Sequence, residues 1–74
     1  MKREEKKFLR DLGLRLRRIR EKKGWTLEYT EEQGYPAWQH LQRVESGAKR
    51  VEILTLRRLS IVYNVSLKEI LGEW

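Results

Sequence analysis

The chain has no cysteine, one proline, one phenylalanine, one methionine and one histidine in 74 residues. Without cysteine there can be neither a disulfide staple nor a thiolate metal site, so a small domain must be held by packing alone. A single proline, Pro36, and few β-branched residues before the last third argue for helices throughout. No run of apolar residues approaches the roughly 20 needed to cross a bilayer, and the N-terminus lacks the apolar stretch of a secretory signal. A cytoplasmic protein with no membrane contact is expected. One histidine and no cysteine make a metal cofactor unexpected, and no cofactor of any kind is implied. There is no serine–histidine–acid set and no phosphate-cradling glycine loop, and the neighbouring Glu31 and Glu32 point to different sides of a helix. No enzymatic activity is expected.

Charge, by contrast, is plentiful and uneven. The net charge is +6, but residues 1–23 hold eleven Lys and Arg against four acidic residues, a local +7, and the remainder is close to neutral. Such a basic segment is either a solvated helix laced with i,i+4 pairs or a contact for a polyanion.

The periodicity predicts five helices. Phe8, Leu9, Leu12, Leu16 and Ile19 recur every three to four residues, placing an amphipathic helix over 4–22 that Gly24 ends. Thr26 suits the N-cap of a short helix over 27–33. Gly34, Tyr35 and Pro36 then form a tight connection, with Pro36 in the first turn of the next helix. A third helix covers about 37–46 and stops at Gly47. Residues 48–51 make a loop. A fourth helix over 52–63 has Ile53, Leu56, Leu59, Ser60 and Tyr63 inward and ends at Asn64. Ser66 and Glu69 have the spacing of a capping box and open a fifth helix carrying Leu67, Ile70 and Leu71. One all-α domain spanning 1–74 is expected, a compact bundle with its core over about 8–72 and a basic extension at 1–7.

The third helix has two faces. At about 100° per residue, Ala37, Leu41 and Val44 fall on one side, and Trp38, Gln39, Gln42 and Arg43 share an arc of roughly 140° on the other. Amides and a guanidinium are the groups that read base edges or phosphates. The plain alternative is a polar face turned to solvent. Trp38 has two readings, a sugar or thymine-methyl contact on DNA or an indole folded back onto Tyr35. His40 sits between the faces. Trp25 reads as a lid on the core.

Two helices joined by a tight turn, the second with a polar outer face, form the layout of a helix-turn-helix. Here the chain resembles the Cro/Xre-type family of phage repressors, antitoxins and restriction-modification controllers, over about residues 8–72. The resemblance is carried by Leu12, Gly13, Arg15, Leu16, Arg17, Ile19, Arg20, Gly24 and Thr26, then Leu41, Val44, Glu45 and Gly47. It continues in Thr55, Leu56, Leu59 and Ser60, and in Val65, Ser66, Leu67, Ile70 and Leu71. Departures cluster in the second helix, where Leu27 replaces the family's usual Gln and Thr30-Glu31 its Leu-Ala. Its turn glycine falls where Tyr35 stands. A shorter or rotated second helix is expected, with Tyr29 and Tyr35 filling the space of the missing leucines.

The resemblance implies a lambda-repressor-like fold and a sequence-specific double-stranded DNA-binding protein, a small transcriptional repressor or regulator. Trp38, Gln39, Gln42 and Arg43 would read bases in the major groove. Thr26, Lys49, Arg50 and Arg17 would hold phosphates, with amides at the starts of helices 2 and 4. It also implies an internal Arg20–Glu45 ion pair that orients helix 3. A homodimer is expected, with Leu54, Ile61, Leu67 or Trp74 as contacts. The alternative is an antitoxin-like or adaptor-like module that uses the same fold to bind a toxin or other regulatory protein.

Overall fold

The computed structural model describes residues 2–72, and Trp74 lies outside them. Among the described residues the chain forms five helices and no strand: α1 (Arg3–Lys22), α2 (Leu27–Glu32), α3 (Trp38–Glu45), α4 (Ile53–Tyr63) and α5 (Leu67–Leu71). None is long and apolar enough to cross a membrane. The expected basic extension is not a separate segment, because α1 is helical from Arg3 and carries most of those charges on its first two turns.

Leu12 and Leu16 of α1, Leu41 and Val44 of α3, Leu56, Leu59 and Tyr63 of α4 and Ile70 of α5 meet in one core. α1 packs across α3 and α5, α2 against α3, and α4 against α5. Trp25 covers this core as expected, tilted against Tyr63 at 5.8 Å and edge-on to Tyr29 at 5.3 Å.

The α1–α3 crossing depends on two glycines. A Cβ on Gly13 would lie 2.6 Å from the Val44 carbonyl oxygen and closer still to that of Glu45, so only a residue without one lets the backbones meet. Gly47 has φ +74 and abuts the α1 backbone at Arg10, where a Cβ would sit 2.8 Å from Cα. Its left-handed turn ends α3 and also admits α1.

Four local expectations are corrected. Pro36 precedes α3 by two residues, because Ala37 is the N-cap and Trp38 the first helical residue. Ala37 is therefore half-buried at the cap instead of lying in the core face. Ile53 is 64% exposed: at the first position of α4 it stands outside the cover of the bundle. In the α2 region Tyr35 is buried but Tyr29 is 43% exposed, and Thr30 takes the inner position. Thr30 tolerates full burial because its hydroxyl donates to the Thr26 carbonyl at 2.9 Å. Leu54 and Ile61 are exposed.

Candidate nucleic-acid interface

α3 is held from both ends. At its C-terminus Glu45 accepts two bonds from Arg20, Nε to Oε2 at 2.7 Å and Nη2 to Oε1 at 2.9 Å, while Arg20 Nη1 donates to the Trp25 carbonyl at 2.7 Å. The bond to Glu45 raises the Arg20 pKa, outweighing the opposing effect of burial. At its N-terminus the Glu31 carboxylate accepts the Trp38 backbone N–H at 2.7 Å. That contact spans the turn between α2 and α3 and fixes their relative position.

With its ends fixed, α3 presents Gln39, Gln42 and Arg43 to solvent. None of the three makes a side-chain hydrogen bond or ion pair among the described residues. Trp38 is half-buried. The ring stacked on Tyr35 is His40, with centroids 5.7 Å apart, and the Tyr35 hydroxyl bonds His40 Nδ1. Burial pushes the Tyr35 hydroxyl up to about 12, so at neutral pH it keeps its proton and can donate to Nδ1 in the tautomer that leaves that nitrogen bare. Burial, then the Lys49 and Arg43 cations, hold His40 below its ordinary 6.5, with Glu52 opposing.

The expected phosphate-holding residues are spread over two regions. Arg50 is exposed in the loop after α3, and its Nη2 lies 3.5 Å from Glu5 of α1. With Arg10 packed on Gly47, this brings the first half of α1 beside the loop that carries Lys49 and Arg50. Arg3, Lys6, Lys7 and Arg10 line a shallow basic concavity along α1. Arg17 lies on the same helix stripe about 10 Å further along, tied to Glu21 at 3.1 Å. Thr26 caps α2, its Oγ1 accepting from the Tyr29 N–H at 3.0 Å.

Sequence reasoning overlooked the acids around these helix starts. Glu28 lies in the first turn of α2, Glu31 binds the first amide of α3, and Glu52 is the N-cap residue of α4. Carboxylates there favour the helix dipole but disfavour a phosphate in the same place. A scan for acids at the starts of successive helices would have found Glu28 and Glu52. Glu31, seven residues upstream of its amide, needed the tertiary turn. Arg15 was also missed as a structural group: its Nη1 donates to the Leu71 carbonyl at 2.8 Å and closes the end of α5.

Of the expected dimer contacts, Leu54 and Ile61 share one exposed face of α4, 70% and 63% exposed, and Leu67 opens α5 apart from them. Compared with protein-family models, curated proteins and solved structures, the chain matches none.

Proposed function

We propose that the protein binds double-stranded DNA sequence-specifically as a small cytoplasmic transcriptional regulator of repressor type, with α3 in the major groove. The observation that carries this reading is the outer face of α3. Gln39, Gln42 and Arg43 stand exposed and unengaged on a helix pinned at both ends. Rigid placement of amides and a guanidinium is what paired hydrogen bonds to adenine and guanine edges require. Trp38 would cover the apolar edge of a base or sugar. Lys49, Arg50 and the basic first half of α1 supply the adjacent phosphate contacts, with Thr26 and Arg17 in lesser roles. Two protomers would read half-sites about one helical turn, roughly 34 Å, apart.

The acids near the starts of α2, α3 and α4 favour a second reading, an antitoxin-like or adaptor-like module that binds a regulatory protein instead. Salt dependence separates the two. Selection from random duplexes on the purified protein, followed by titration of the selected site at rising salt, should give a log–log slope of about −0.9 per neutralised phosphate. A folded protein that enriches no sequence and shifts no duplex even at low salt would favour the module.

A further inference from the structure

A second surface borders the base-reading face without sharing its residues. The exposed side of α4 and the turn at residues 33–37 enclose an open groove of about 780 Å³. Its floor includes Tyr35 and Val62, and its rim carries Leu54, Ile61, Arg57 and Arg58. No acidic residue lines it. Arg58 Nη1 reaches the Gly34 carbonyl at 3.4 Å, and among the described residues neither arginine has a carboxylate partner.

The arrangement on α4 is specific. Leu54 and Ile61 are two turns apart, so they stand in line about 10 Å from each other. Arg57 and Arg58 flank that line, one on either side, at roughly 60° and 40°. From this apolar line bordered by two unpaired cations we infer that the groove docks an acidic amphipathic helix of another protein. Its apolar residues at i, i+3, i+4 and i+7 would lie along Leu54 and Ile61, and its flanking carboxylates would meet the two guanidinium groups.

Charge distinguishes this occupant from two others. A second copy related by a two-fold axis at the middle of α4 would set Leu54 against Ile61, but would also bring four arginines together, and such like-charge contacts oppose association. A DNA backbone would satisfy Arg57 and Arg58 yet leave the exposed Leu54 and Ile61 facing phosphates. The inference stands apart from the duplex reading, because none of Trp38, Gln39, Gln42 and Arg43 lines the groove.

The test uses three synthetic helical peptides of roughly five turns. One has leucines at i, i+3, i+4 and i+7 with glutamates on both flanks, one has lysines in place of the glutamates, and one has serines in place of the leucines. Affinities for the full chain come from fluorescence anisotropy, and the contact is mapped by amide chemical shifts. The acidic amphipathic peptide should bind at least about tenfold tighter than either control, with shifts at Gly34, Leu54, Thr55 and Ile61. L54E/I61E should remove that binding with helicity unchanged, and R57E/R58E should transfer preference to the lysine peptide. Equal binding of acidic and basic peptides would overturn the inference. So would a wild-type dimer that L54E/I61E disperses in sedimentation, which would assign the face to a second copy. Loss of duplex binding in R57A/R58A with acidic-peptide binding intact would assign the arginines to phosphates and equally overturn it.

Discussion

Arg20 and Glu45 join α1 to the end of α3 through two parallel bonds at 2.7 and 2.9 Å, with their side chains only 11% and 6% exposed. The fork of a guanidinium against a carboxylate admits one orientation, so the pair fixes the rotation of α3 about its own axis. Gly13, pressed against the last carbonyls of α3, fixes its height along α1. The outer face of α3 points where it does because of these two constraints.

Glu45→Gln should destabilise the domain by about 3 kcal/mol or more, because it leaves the Arg20 charge buried and unpaired. Replacing both residues with apolar ones of similar volume should recover much of that loss. Urea denaturation of the wild type and the two variants checks the pattern. Wild-type stability in the single variant would mean that the pair contributes nothing to the fold.

Gly13→Ala tests the close approach. Alanine is the better helix former by about 1 kcal/mol, so on propensity alone the change would stabilise α1. The methyl meets backbone at 2.6 and 2.7 Å, which cannot turn aside, and overpacking of this kind costs about 1–3 kcal/mol. A net fall in thermal midpoint is expected. A rise would show that α1 and α3 are further apart than described.

Tyr63 is fully buried, and its hydroxyl finds no hydrogen-bond partner among the described residues. Burial pushes the Tyr63 pKa up to about 12. The neighbouring Thr30 hydroxyl donates to the Thr26 carbonyl and lies close enough to Tyr63 to hold its pKa back in part. Because an orphaned buried hydroxyl carries a desolvation penalty of about 1–3 kcal/mol, Tyr63→Phe should be neutral or stabilising in chemical denaturation. A clear loss of stability would reveal a bond to that oxygen.

His40 gives a pH dependence of definite sign. Its folded pKa lies below the ordinary 6.5, so the fold favours the neutral ring. Its contribution to stability is full above 6.5 and is lost as the pH falls through the lower folded value. Protonating Nδ1 also removes the acceptor of the Tyr35 hydroxyl. An NMR titration of the imidazole should give a midpoint under 6.5, and Tyr35→Phe should move it upward. A midpoint at or above 6.5 in the wild type would contradict the geometry.

All five helices were legible in the sequence, with boundaries within one or two residues, because long apolar periodicities and side-chain caps are local signals. Thr26 and Ser66 cap α2 and α5 as their spacing suggests. The role of Pro36 at the entry to α3 was not legible. The helix begins after Pro36 and Ala37 because Glu31 and the buried Tyr35 fix the turn, and both act through contacts that exist only once the helices have packed. Ile53 matches the inward period of α4, but a period cannot say where the neighbouring helices stop. Gly13 did leave a trace, a lone glycine inside a strong helical pattern, which marks a close backbone approach. The outer residues of α3 followed from the helical wheel alone. The acids near the starts of three helices have no periodicity and became visible only as geometry.

The most direct test of α3 as a base reader compares Arg43→Ala and Arg50→Ala on a selected site and on random duplexes. Arg43→Ala should lose about 1–3 kcal/mol on the selected site, with relaxed preference at one base pair and little change on random DNA. Arg50→Ala should weaken both alike and lower the salt slope by about one unit. If Arg43→Ala reduces affinity for selected and random duplexes by the same factor, Arg43 touches phosphate only, and α3 does not read sequence through it.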